Sequence, residues 1–152
     1  MKQLFIILII LSGVQGAINA QNLIEENGEY LLKGTPYTGD WTTYFDDGEL
    51  KMVAQFKNGF KHGRAKLWFE NGNLKEIRSF KNNEMHGKWV VYNKNNVKVS
   101  VAHYKNGKKH GKWKIWNDKG ILLYELQYYK GEKTGTWKNY NENGELINER
   151  KY

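Results

Sequence analysis

A chain of 152 residues with 14% aromatic side chains is the size of one domain and too rich in ordered apolar surface to be disordered. Its formal net charge of +8 favours anionic partners. The absence of Cys excludes disulfides, thiolate metal sites and a cysteine nucleophile, so packing and backbone hydrogen bonds alone must hold the fold.

Residues 1–20 begin with Met1 and Lys2, continue through an apolar run from Leu4 to Leu11, and end in small residues at Ala20. This is the pattern of a secretory signal peptide, with cleavage after Ala20 or after Gly16. A retained anchor is the alternative, although a spanning helix needs roughly 20 apolar residues. No Cys follows the run to make a lipoprotein. Loss of Lys2 leaves 23 basic and 16 acidic side chains, a net +7 on an exported, periplasmic, surface or secreted chain. Export argues against a nucleic-acid partner and for an acidic protein, anionic lipid or acidic glycan.

Residues 21–38 read as a worn N-terminal half-repeat that caps the array. Asn27-Gly28 is a turn signal, and Lys33 to Gly39 resembles Lys130 to Gly135 with one insertion. The single proline, Pro36, fits a strand whose N–H needs no neighbour.

Residues 39–152 form a repeat domain with a period of 24. Gly39, Gly63, Gly87, Gly111 and Gly135 mark the repeats. Two residues after each come Trp41, Ala65, Trp89, Trp113 and Trp137; five after come Tyr44, Trp68, Tyr92, Trp116 and Tyr140. Phe56, Phe80, Tyr104, Tyr128 and Tyr152 stand at the seventeenth place. Such a period means an array in which each unit buries its face against its neighbours.

Two turn signals recur in each unit. One is Asp47-Gly48, Asn71-Gly72, Asn95-Asn96, Lys119-Gly120 and Asn143-Gly144; the other is Asn58-Gly59, Asn82-Asn83, Asn106-Gly107 and Lys130-Gly131. Both suit type I′ hairpin turns, which need φ > 0 at two central residues. Spacings of 11 and 13 leave room for short strands joined only to antiparallel neighbours. The expected fold is all-β: an elongated single-sheet antiparallel meander of repeated β-hairpins, with nine or ten strands. The second and fifth positions differ by an odd number, so either both sheet faces carry aromatic columns or a bulge re-aims one.

Lys-Asn-Gly-x-x-His-Gly at Lys57 to Gly63 and at Lys105 to Gly111, each followed by a Trp or Ala and then Asn-Gly-x-Leu or its variant, resembles the bacterial variant of the MORN repeat, as found in proteins labelled YwqK-family antitoxins. The resemblance runs from about Asn27 to Tyr152 and departs from the eukaryotic MORN pattern in its length and in Gly-x-Trp for Gly-x-Gly. It implies an all-β scaffold that binds rather than catalyses.

His62, His86 and His110 share one repeat position with Thr38 and Thr134. Repeat-related residues lie about 10 Å apart, too far to share an ion, so a turn or packing role is expected and no metal. Arg64, Lys88, Lys105, Lys108, Lys109, Lys112 and Lys114 suggest a basic stripe that meets an anionic partner, or else a solvated face that blocks edge pairing. The Trp column is core or, alternatively, a sugar platform. No nucleophile set, phosphate loop or carboxylate pair stands out, so neither enzyme nor cofactor is expected. The leading expectation is an exported protein–protein interaction module, antitoxin-like or adaptor-like; the alternative is an anionic envelope lipid or glycan held by the stripe. The C-terminal strand has no cap and could pair with a second copy.

Overall fold

The computed structural model describes residues 23–152, so the signal-peptide expectation lies outside the described residues. All their regular elements are strands. The first three are β1 (Leu23–Glu26), β2 (Glu29–Leu32) and β3 (Thr35–Pro36). The array continues as β4 (Gly39–Tyr44), β5 (Leu50–Lys57), β6 (Phe60–Trp68), β7 (Leu74–Lys81), β8 (Glu84–Met85), β9 (Gly87–Tyr92), β10 (Lys98–Lys105), β11 (Lys108–Lys109), β12 (Gly111–Trp116), β13 (Leu122–Tyr129), β14 (Glu132–Lys133), β15 (Thr136–Tyr140) and β16 (Leu146–Lys151).

Ten long strands, β4 to β16 without β8, β11 and β14, form an antiparallel meander; the three two-residue strands attach beside β7, β10 and β13. The expected architecture is thus present, with one correction. The half-repeat does not extend the sheet: β1, β2 and β3 make a separate three-stranded sheet.

The two turn classes differ. Asn58-Gly59, Asn82-Asn83, Asn106-Gly107 and Lys130-Gly131 have φ > 0 at both residues, as type I′ requires. In the other class only the second residue is left-handed, as at Gly48, Gly72 and Asn96. There Gly48 donates to the Phe45 carbonyl and Phe45 to the Glu49 carbonyl, and Gly72 and Phe69 repeat the pattern. This is a type I turn closed by a left-handed residue, not type I′, and it comes with a bulge. The register slips beside each such turn, between Thr43 and Tyr44, Leu67 and Trp68, Val91 and Tyr92, Ile115 and Trp116, and Asn139 and Tyr140.

The slip falls on the returning strand, so the outgoing strand alternates without interruption. Both faces therefore carry aromatic columns. Trp41, Trp89, Trp113 and Trp137 lie on one, with the repeat glycines and their partners Phe56, Phe80, Tyr104 and Tyr128. Tyr44, Trp68, Tyr92, Trp116 and Tyr140 lie on the other.

The small sheet folds over the first face. Leu23, Tyr30, Leu32 and Tyr37 pack against the buried cluster Trp41, Ala54, Phe56 and Ala65. The Tyr30 ring sits 4.9 Å from Phe56, and Tyr37 sits edge-on to Trp41 at 5.6 Å. Backbone bonds pin the overlay: Tyr30 donates to the Gly59 carbonyl at 2.7 Å and Gly59 to the Tyr37 carbonyl at 2.8 Å. At the far end Asn83 Nδ2 donates to the Gly28 carbonyl at 2.6 Å. Each large ring so covered contributes about 1.5–3 kcal/mol relative to exposure. The overlay also accounts for the one gap in the Trp column: Ala65, 5% exposed, lies under it where the other repeats carry an indole.

Candidate functional site

Beyond the overlay the first face carries an unbroken aromatic ladder. Phe80, Trp89, Tyr104, Trp113, Tyr128, Trp137 and Tyr152 follow one another with ring centroids 4.9–5.9 Å apart, all tilted or edge-on. That geometry suits the ring quadrupoles. Trp89, Trp113 and Trp137 each donate Nε1–H to the carbonyl of Ser79, His103 and Gln127, ten residues earlier, so their indoles are fixed as well as stacked.

Cations close one edge of the ladder. Lys109 Nζ lies 4.8 Å from the Trp113 ring centre and 4.9 Å from that of Tyr128; Lys133 lies 4.5 Å from Trp137 and 4.9 Å from Tyr152. Arg78 lies over Trp89 at 5.4 Å. Lys61 does the same under the overlay, 4.8 Å from Tyr30. Burial raises the Tyr104 hydroxyl pKa, with the nearby Glu76 carboxylate adding to it. Burial, with a hydrogen bond to Glu25, pushes that of Tyr30 up to about 12.

The basic residues do not form one stripe. Lys109 pairs with Tyr104 and belongs to the ladder face, whereas Lys105 and Lys108 face each other across a corner. Arg64, Lys88, Lys112 and Lys114 lie on the opposite face, because each is an odd number of places from the repeat glycine or Trp on its strand. Lys66 and Lys138 join them there; the register Val53, Lys66, Ile77, Val90 and Glu125, Lys138 places both in the same row as Lys114. Those two were missed because they sit at the alternation partner of the Trp position, which the 24-residue phasing alone does not assign to a face. Acids interrupt the row: Lys114 Nζ contacts Glu125 Oε1 at 2.6 Å, and Tyr140 donates to Glu125 Oε2 at 2.8 Å. The Lys114 bond, then that of Tyr140, lowers the Glu125 pKa, and the Tyr140 hydroxyl is raised in return.

The His column braces corners. His62 Nδ1 meets Asn82 Oδ1 at 3.2 Å, His86 Nδ1 meets Asn106 Oδ1 at 3.2 Å, and Thr38 accepts from the Asn58 N–H at 2.8 Å. Each spans twenty residues, from one corner to the next. His110 faces Lys130 where the others face Asn, and its Nδ1 is buried without a partner. His103, off this register, holds the Lys112 carbonyl through Nδ1 at 2.7 Å. The repeat glycines leave room for these contacts: at Gly63, φ is +94° and a Cβ would strike Gln55 Oε1, which accepts from the Arg64 N–H at 2.8 Å.

The model of the family described as MORN repeat variant matches residues 37–58, 61–82, 85–106, 109–130 and 133–152. The chain belongs to the MORN repeat variant family. The model of the MORN repeat itself matches residues 79–88 and 102–112. No curated protein matches the chain. The matched segments begin two residues before the repeat glycines, so each MORN unit opens on a corner brace, crosses the ladder and turns at the bulged hairpin. MORN repeats are commonly protein-binding or membrane-binding modules and generally non-catalytic scaffolds.

Proposed function

We propose that this MORN array is an exported, non-catalytic interaction module that binds a protein partner through the open part of its ladder face, in an adaptor-like or immunity-like role. The observation that carries this is the row of Trp and Tyr rings beyond the overlay, partly exposed except for Tyr128 at 9%, fixed by Nε1–H bonds and edged by Lys109 and Lys133. Rigid, half-buried aromatic anchors flanked by cations are what protein-binding hot spots consist of. Affinity capture with residues 21–152 from an envelope extract tests it, at about 0.15 M and about 0.5 M salt. A protein retained at both and lost on Trp113→Ala supports the reading; retention that Trp113→Ala leaves intact contradicts it.

A second reading has its own observation. Arg64, Lys66, Lys88, Lys112, Lys114 and Lys138 share the opposite face, which suits an anionic lipid or glycan surface. Binding to anionic vesicles that falls steeply with salt and with Lys88→Glu and Lys112→Glu together supports it; binding indifferent to both contradicts it. Exposed β16, with Ile147 61% exposed, could pair with a second copy, and an unchanged monomer at high concentration in ultracentrifugation opposes that.

A further inference from the structure

The cavity under the overlay and the groove at the C-terminal end are the same site, three repeats apart. Leu23, Glu25 and Tyr30 of the overlay enclose the first against Ala54, Ala65, Arg78 and Phe80. Leu126, Trp137, Arg150 and Tyr152 line the second, which has a volume of about 470 Å³. Each stands three periods after its counterpart: Leu126 after Ala54, Trp137 after Ala65, Arg150 after Arg78, Tyr152 after Phe80. Lys133 likewise comes three periods after Lys61, and their ammonium groups lie over the equivalent ladder rings, Tyr152 and Phe80. Arg150 and Lys133 are both within 5.0 Å of the Tyr152 ring centre.

The first site shows what such a surface takes. Its occupant, residues 23–32, is a β-hairpin with the sequence Leu-Ile-Glu-Glu-Asn-Gly-Glu-Tyr-Leu-Leu, carrying three Glu and no cation. Its apolar side meets the rings, and Glu25 shares the cavity with Lys61 and Arg78 and hydrogen-bonds the Tyr30 hydroxyl; Arg78 itself pairs with Glu76 at 2.7 Å, a position that holds Asn148 three periods on, so Arg150 lacks that acid. The second site repeats the cations and the rings; one acid, Glu149, also lines it, but it stands across from Lys138 in the row of the opposite face, and no acidic side chain lies on the ladder face itself from β9 to β16. The rows on that face read Tyr104, Tyr128 and Tyr152; Trp89, Ala102, Trp113, Leu126, Trp137 and Arg150; and Val91, Ser100, Ile115, Tyr124, Asn139 and Asn148.

We infer that the C-terminal groove, floored by Leu126 and walled by Trp137, Arg150 and Tyr152, binds an acidic, aromatic hairpin segment of a partner protein, in the manner that residues 23–32 occupy the equivalent site within the chain. This rests on the protein-binding reading and names the chemistry of the partner. Leu126 in place of Ala54 and Trp137 in place of Ala65 make the groove shallower, so the occupant lies against an indole where the overlay lies against a methyl.

The test adds a synthetic peptide of residues 23–37 to the full chain and follows the indole N–H signals of its six Trp by NMR. The expected result is a saturable shift of Trp137, with Trp41 and Trp68 unmoved. Glu25→Gln and Glu29→Gln in the peptide should weaken binding at least threefold, and Arg150→Ala in the protein should do the same without altering the unbound spectrum elsewhere. No saturable shift up to about 1 mM peptide overturns the inference. So does a shift at Trp41 in place of Trp137, which would mean exchange with the chain's own overlay. Equal shifts on dilution without peptide would assign the groove to a second copy, and equal shifts with anionic vesicles to lipid; each also overturns it. A captured protein retained by the Arg150→Ala chain would remove this site while leaving the interaction-module reading intact.

Discussion

The two ends of the sheet share one repeat and live in different surroundings. At the N-terminal end the ladder face is roofed: Trp41, Ala54, Phe56 and Ala65 are each 5% exposed or less, and the protein has a two-layer core there. At the C-terminal end the equivalents, Trp113, Leu126, Tyr128 and Trp137, lie in a single layer in which Tyr128 alone is as little as 9% exposed, while Tyr152, the equivalent of Phe80, is 41% exposed and all six residues of β16 are exposed. Rings of one type thus serve as core at one end and as available surface at the other. The covering segment, not the repeat, decides which.

The largest expected contrast is in the rings themselves. Trp41→Ala should cost about 3–5 kcal/mol, as buried aromatic truncations do, and Trp137→Ala about half as much. Urea unfolding of the two variants measures both, and equal losses would erase the distinction between the ends.

Ala65→Trp sharpens it. Restoring the indole that the other repeats carry should lift the overlay onto the ring, as an occupant of the C-terminal groove would lie, and cost about 1–3 kcal/mol. Amide exchange of residues 23–32 should accelerate while β12 to β16 stay unchanged. A neutral substitution would mean that the overlay does not fill the missing indole's place.

Glycine separates the ends more finely. Gly63→Ala and Gly111→Ala both place a side chain at positive φ, at a cost of about 1–3 kcal/mol each. Gly63→Ala should be the worse, because its Cβ meets the hydrogen-bonded Gln55 amide, whereas that of Gly111 meets His103 Cβ at an ordinary 3.6 Å. Thermal melts of the pair decide the order.

Alkali should loosen the covered end first. The Tyr30 hydroxyl is raised by burial and by Glu25 from 10.0 to about 12, so its contribution is fully present below pH 10 and is lost as pH rises through about 12. Stability to urea should fall over that window, and Tyr30→Phe should lessen the fall. The smallest effect belongs to the open end. Glu125 is lowered by Lys114 and Tyr140, so its contribution is present above the ordinary carboxyl value and lost as pH falls through the depressed one. As a solvent-screened pair it is worth a few tenths of a kcal/mol. Comparing Glu125→Gln with the parent chain between about pH 5 and pH 3 measures it.

Much of this was legible in the sequence because a fixed period turns local signals into global ones. The corners and the meander come from Asn-Gly placement; alternation leaves two aromatic columns or one re-aimed by a bulge, and the place of the slip on the returning strand decides for two. The second turn class escaped because Asp47-Gly48 and Asn58-Gly59 look alike, while only a register slip on the returning strand distinguishes them. The seven basic residues looked like one stripe because period alone does not assign faces; Lys109 and Lys112, three apart across a corner, end on opposite sides. The overlay had one signal, Ala65 in a column of Trp, which marks a ring displaced by something else. Nothing in residues 23–32 states where they fold, since their long-range partners at Gly59 and Asn83 are backbone and corner groups. The C-terminal groove becomes visible only once the overlay is seen to occupy its equivalent.

The most direct measurement is residue-resolved amide hydrogen exchange on the chain without partner. The account predicts that the Tyr30 amide, bonded to Gly59, and the strands β4 to β6 beneath it exchange with the slowest group, while β15 and β16 are among the fastest of the strands. Rapid exchange throughout residues 23–32, with β15 and β16 protected as well as β5, would show that the overlay does not cover the ladder and that the two ends are alike.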